Sequence, residues 1–229
     1  IPQTTMSVEF DYICVLDFEA TCNTKQEMNR GDMEIIEFPS VLLDCKTLKV
    51  VSEFQKFVKT QKFPVSQYCT DLTGITQSQI DELGLPFIDV LTQHQEWLQS
   101  HGIPDTKSVM FVTCGDWDLK TMLPQQCRQY KVDVPHVYRK WINIKTPYSF
   151  RMSAKPAGMA KMLKVMRLTL KGRHHSGIDD CKNITQIVVA LIKKNCPMRS
   201  TGCLDENLRY HCTQEEAGYG PPQPRRRRQ

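Results

Sequence analysis

The chain has 229 residues, 40% of them hydrophobic, a formal charge of +5 and ten cysteines. That is enough for one substantial core of ordinary domain size. No stretch reaches the roughly 18 consecutive apolar residues of a membrane helix, and Ile1-Pro2-Gln3-Thr4-Thr5 lacks the basic and apolar runs of a secretory leader.

The expectation is an intracellular, monomeric protein without membrane contact, whose scattered cysteines, such as Cys14 and Cys114, are core residues in a reducing compartment. The first predicted strand, Tyr12-Ile13-Cys14-Val15-Leu16, ends in Asp17-Phe18-Glu19. Residues two apart on a strand share a face, so Asp17 and Glu19 stand side by side, and like charges that close require a cation. Further strands are expected over 34–44 and 48–58, joined to the first by short connections as an antiparallel meander. The polar segment 23–33 reads as a mobile loop. Phe87, Val90, Leu91 and Leu98 mark a helix. A strand over 108–113 breaks at Gly115 and opens a helix bearing Leu119, Met122, Leu123 and Cys127; Asp116 suits its N-cap and Asp118 its first turn. A fifth strand is expected over 141–145, then a helix beginning near Pro156.

Ten basic residues and no acid lie between Asp133 and Asp179, a segregation that favours phosphate as partner. The stretch leads into Arg173-His174-His175-Ser176-Gly177-Ile178-Asp179-Asp180, with the histidines on a loop and the acids opening a helix marked by Ile184, Ile187, Val188, Leu191 and Ile192. An antiparallel start followed by strand-helix-strand units implies an α/β fold, a five-stranded mixed sheet flanked by helices. From about 196 the helical signal ends. Cys196, Cys203, His211 and Cys212 lack the spacing of a zinc knuckle. Gly218 to Pro224 followed by Arg225–Arg228 has the composition of a disordered tail. The expected organisation is one domain over 10–195 and a C-terminal extension over 196–229.

Carboxylates from three separated segments, with a histidine five residues before the last, form the pattern of the DEDDh 3′-to-5′ exonucleases. Ile35-Ile36-Glu37-Phe38-Pro39, Leu72-Thr73-Gly74-Ile75-Thr76, Lys140-Trp141-Ile142-Asn143-Ile144 and Gly177-Ile178-Asp179-Asp180-Cys181-Lys182-Asn183 extend the match. Residues 10–195 thereby resemble the ERI-type exoribonucleases, and Phe111 to Pro124 is most similar to the branch called prion interactor 1. The resemblance implies a ribonuclease H-like fold. It selects Asp118 over Asp116, and His175 with Asp180 over His174 with Asp179. It further implies that Ala20 and Thr21 meet the terminal sugar and that Leu72 and Thr73 wedge beside the terminal base. Tyr68 and Trp117 are candidate stacking aromatics, since stacking grips single strands whatever their sequence.

Phosphodiester hydrolysis needs a nucleophilic hydroxide and stabilised phosphoryl and leaving oxygens, all of which two divalent cations supply. Mg2+, with Mn2+ as substitute, suits carboxylate ligands. Asp17, Glu19, Asp118 and Asp180 are the expected ligands, with Asp17 bridging, and His175 the expected general base. The expected substrate is single-stranded RNA or an RNA 3′ overhang, shortened from a free 3′-hydroxyl to 5′-mononucleotides. A DNA 3′-to-5′ exonuclease and a non-catalytic RNA-binding scaffold of the same fold are the alternatives.

Overall fold

A computed structural model describes residues 8–24 and 28–221. β1 (Tyr12–Leu16) and the two-residue β2 (Glu19–Ala20) lie along one side of β3 (Ile35–Asp44), and β4 (Lys49–Phe57) along the other, all antiparallel to it. β5 (Val109–Thr113) runs parallel to β1, and β6 (Lys140–Asn143) parallel to β5. β7 (Gly202–Leu204) and β8 (Tyr210–Cys212) add antiparallel to β6. The mixed sheet therefore holds eight strands, not the expected five. The three additional strands are two or three residues long, too short to show a period-two pattern.

Among the described residues, seven α-helices pack on the sheet: α1 (Gln67–Thr73), α2 (Gln77–Leu83), α3 (Phe87–Ser100), α4 (Leu123–Gln129), α5 (Lys145–Met152), α6 (Met159–Met166) and α7 (Gly177–Lys193). α1, α2 and α5 lie outside the helices expected from periodicity, because seven or eight residues make only about two turns. α2 does carry a legible signal, the reciprocal capping box of Thr76 and Gln79.

Alternation along the strands feeds two core layers. Cys14, Leu16, Phe38 and Leu42 meet Phe87, Leu98 and Leu123 on one face, while Ile13, Val15, Val41 and Val112 meet Met162, Leu163, Ile184 and Val188 on the other. Each such large side chain contributes about 1.5–3 kcal/mol on burial. β1 and β5 are in parallel register, Tyr12 opposite Val109 and Val15 opposite Val112. Their C-terminal ends consequently open at the same end of the sheet, where α/β folds bind ligands.

The extension is tied to this body. Tyr210 stacks on Trp141 with centroids 5.9 Å apart, and Lys120 Nζ sits 3.5 Å over the Tyr210 ring. Residues 222–229 of the expected disordered tail lie outside the described residues. Tyr219 is anchored, however: its hydroxyl donates to Pro197 O and accepts the Arg199 amide at 3.1 Å. Of the loop expected over 23–33, residues 25–27 also lie outside the described residues, and Arg30–Asp32 forms a 3₁₀ turn. All ten cysteines are free thiols. Among the described residues no helix is long and apolar enough to cross a membrane.

Candidate active site

β1 stops at Leu16 and β2 begins at Glu19, yet the register against β3 is unchanged across the gap: Leu16 faces Ser40 and Glu19 faces Glu37. Asp17 thus falls opposite Pro39, which has no N–H to give the ladder. Phe18 anchors the gap by packing 4.6 Å from Phe38 in the α3–α4 layer, and alternation turns Asp17 and Glu19 to the α7 face. The Phe18 amide donates to Asp118 Oδ1 at 3.0 Å.

Asp118 opens a five-residue π-helical turn ahead of α4 and is 5% exposed; such turns concentrate at functional sites. The neighbouring Asp116 stands at the helix start, its carbonyl accepting the Lys120 amide at 2.9 Å, but its carboxylate accepts Trp141 Nε1–H at 3.1 Å.

α7 contributes Asp180, which is 3% exposed. Its Oδ2 accepts the His175 amide at 3.0 Å, whereas its Oδ1 is buried without a hydrogen-bond partner. Asp17, Glu19 and Asp180 each bring a carboxylate oxygen to within 4.8 Å of the others. An unpartnered carboxylate oxygen beside two further acids fits a hard, oxygen-binding divalent cation. The adjacent Asp179 is engaged elsewhere, accepting the Arg173 amide at 2.9 Å and closing the histidine loop.

The charges respond to this crowding. Burial, then the charges of Asp118 and Asp180, hold Asp17 well above the usual carboxylate range. Glu19 is pushed up to about 10 by burial, then by Asp17 and Glu37. Burial lifts Asp118 to about 6 and also raises Asp180. Lys145, at the start of α5, offsets part of the strain at Asp17 and Asp118. Without cations these acids do not all ionise at neutral pH.

His175 sits in a left-handed conformation, φ +66°. Its ring affinity for protons is lowered, first by burial and then by the His174 and Arg173 charges. Arg173 extends from the same loop to donate to Asp71 O at 2.7 Å, tying the end of α1 to the histidines.

The substrate-contact candidates divide into two groups. Tyr68 and Leu72 on α1 are 51% and 37% exposed, and Cys69 between them reaches Ala20 O at 3.5 Å, so α1 and the Ala20–Thr21 segment are neighbours. The Thr21 and Thr73 side chains are buried and occupied: Thr21 Oγ1 accepts the Glu34 amide, and Thr73 Oγ1 bonds Cys69 O and the Ile75 amide. Trp117 is partly buried against the core. Cys203 pairs with His211 and Gly202 with Cys212, which sets the two cysteines on opposite faces; His211 instead meets Asp205 at 3.0 Å. Among the described residues these side chains and Cys196 form no metal-binding group.

Glu37 escaped assignment in the sequence. It lies directly across from Glu19, is 1% exposed, and accepts the Gly177 amide at 3.0 Å, the Ile178 amide at 3.2 Å and Gln55 Nε2 at 2.8 Å. A glutamate inside the apolar run Ile35 to Phe38 was the available signal.

A mixed sheet of this order, with acids gathered where its first two parallel strands end, is the ribonuclease H-like fold of the DEDDh nucleases. Residues 14–188 match the Exonuclease (RNase_T) family, and the chain belongs to it. It is 43% identical over 197 residues to ERI1 exoribonuclease 3 of Homo sapiens, over 84% of this chain and 57% of that protein. The nuclease domain of 3′hExo, a DEDDh family member bound to rAMP, is similar with TM-score 0.81 and 34% identity over 86% of this chain and 98% of that one. A structure of 3′-end specific recognition of histone mRNA stem-loop by 3′-exonuclease gives TM-score 0.85 and 31% identity over 90% and 71%. The chain thus spans only 57% of the length of its curated relative.

Proposed function

We propose that this chain is a 3′-to-5′ exoribonuclease that uses two Mg2+ ions, replaceable by Mn2+, to release 5′-mononucleotides from a free 3′-hydroxyl end. The observation that carries this reading is the Asp17–Glu19–Asp180 trio within 4.8 Å, with Asp180 Oδ1 buried and unpartnered. Asp17, Glu19, Asp118 and Asp180 would hold the ions, which when bound supply an activated water and neutralise charge on the phosphoryl and leaving oxygens.

The protein's own groups do the rest. The Phe18 amide fixes the Asp118 carboxylate. Burial keeps the His175 ring neutral near pH 7, so a ring nitrogen can take the proton of the attacking water. The bond from the His175 amide to Asp180 holds base and ligand in one frame. Exposed Tyr68 and Leu72, next to the Ala20–Thr21 backbone, would receive the terminal nucleotide, with Trp117 a partly buried stacking surface. The acid-free stretch between Asp133 and Asp179 suits the phosphates that follow. RNA as substrate is supported by the relatives, one named an exoribonuclease and one bound to rAMP. Residues 10–195 would form the catalytic unit and 196–229 a C-terminal extension whose strands over 202–204 and 210–212 join its sheet, acting as a monomer inside cells, where free thiols persist.

The test is digestion of 5′-labelled single-stranded RNA beside a DNA of the same sequence. Stepwise shortening in Mg2+, stopped by EDTA or by a blocked 3′ end, is expected. Activity in EDTA, or release of internal fragments, would refute the reading, and equal digestion of DNA would remove RNA selectivity from it.

A further inference from the structure

His174 lies outside the machinery just described, yet it shares a carboxylate with it. Its Nε2 stands 4.0 Å from Asp180 Oδ2, and its ring stacks on His175 with centroids 4.0 Å apart and 26° between planes. One ligand atom from each of His174, His175 and Asp180 falls within 4.8 Å of the others. We propose that these three residues form a second metal site, selective for Zn2+, and that Zn2+ bound there inhibits the enzyme.

The donor chemistry separates this site from the carboxylate trio. Asp17, Glu19 and Asp180 offer oxygen alone, which suits Mg2+ and Mn2+. Two imidazole nitrogens and one carboxylate oxygen, with water in the fourth position, make an open tetrahedral Zn2+ set, and nitrogen donors favour Zn2+ strongly over Mg2+. With bonds of about 2.1 Å, ligand atoms around such an ion stand about 3.4 Å apart. Donors that already lie within 4.8 Å of one another therefore need to close by at most about 1.4 Å. His174 can supply that movement, since its side chain is 43% exposed and lies in a turn. Arg173, the cation of the same loop, turns its guanidinium away to Asp71 O.

Asp180 is the hinge between the two sites. Its carboxylate takes part in both groups, with Oδ2 facing the loop and Oδ1 buried without a hydrogen-bond partner. Zn2+ on the loop side draws this carboxylate toward the histidines and occupies the His175 nitrogen that would accept a proton. The inhibition rests on the exonuclease reading; the binding does not.

Two measurements decide the proposal. In Asp17→Asn/Glu19→Gln, where the trio has lost two of its carboxylates, calorimetric titration with ZnCl2 should still detect one bound ion, and adding His174→Ala should weaken it by about tenfold or more. Absence of Zn2+ binding in the double variant, or indifference to His174→Ala, overturns the site whether or not the chain degrades RNA. In Mg2+-supported turnover, His174→Ala and His174→Gln should keep their basal rate, while the half-inhibiting ZnCl2 concentration rises about tenfold. Inhibition unchanged in both variants would place Zn2+ among the carboxylates and overturn the proposal.

Discussion

The amide of Phe18 donates to Asp118 Oδ1 at 3.0 Å, a buried bond between residues 100 positions apart. It locks the gap between β1 and β2 to the π turn after β5, and it distinguishes Asp118 from Asp116, whose carboxylate is bound to Trp141. Asp118→Asn keeps an acceptor for Phe18 but removes the charge. Turnover should fall about 100-fold or more, while the melting temperature in EDTA stays at or above that of the parent because a costly buried charge is gone. Asp116→Ala should do the reverse, keeping most turnover and losing about 1 kcal/mol of stability with the indole bond. Steady-state rates and thermal melts of the two variants check this ordering.

Glu37 caps a helix it does not belong to. Ser176, the N-cap residue of α7, makes no side-chain cap bond, and the Gly177 and Ile178 amides go to Glu37 instead. Because α7 carries Asp180, Glu37→Ala should destabilise by about 2–4 kcal/mol and lower turnover, with Glu37→Gln milder on both. Gly177→Ala should resemble it, since a Cβ there would stand 2.8 Å from Pro39 Cγ and 2.9 Å from Asp17 O. Denaturant midpoints indistinguishable from the parent would refute the capping role.

The parts of this fold legible in sequence were those with a long local repeat or a local chemical oddity. α3 and α7 are 14 and 17 residues long and amphipathic, and Asp17-Phe18-Glu19 stands out at the end of an apolar run. β7 and β8 are three residues each and owe their place to long-range contacts such as Tyr210 on Trp141. The choice of Asp118 over Asp116 needed resemblance, because the Phe18 amide and the Trp141 indole that separate them are distant in the chain. Glu37 interrupts an apolar run yet went unassigned, because its partner at Gly177 lies 140 residues on.

Stability should depend on pH through His94. The ring is fully buried between Tyr138 Oη and Ser40 Oγ, each 2.8 Å away, and burial pulls its pKa down to about 3. The unfolded chain takes up a proton near 6.5 while the folded protein does not. Stability is therefore lost as pH falls below 6.5, continuing toward about 3. His94→Gln should be less stable than the parent at pH 7 but lose less between pH 6.5 and 4. Urea denaturation across that range is the measurement, and parallel pH profiles would exclude His94 as the cause.

Divalent cations should stabilise the protein increasingly as pH rises, because they compete with protons for the same carboxylates. Burial and mutual repulsion raise the pKa values of Asp17, Glu19 and Asp180, Glu19 to about 10. In metal-free protein the stability these protonated groups supply is fully present below their unfolded values of 3.8 to 4.5 and is lost as pH rises through the folded ones. A cation takes the place of the missing protons, so it binds and stabilises best where they have gone. An ion at 100 times its dissociation constant adds about 2.7 kcal/mol. Mn2+ should accordingly raise the melting temperature more at pH 8 than at pH 6, reversibly with EDTA. Asp17→Asn/Asp180→Asn should abolish most of the shift, because it removes the charge of two of the three carboxylates that meet within 4.8 Å. A Mn2+ shift of full size in that variant, or one that shrinks between pH 6 and pH 8, would place the stabilising ions away from Asp17 and Asp180.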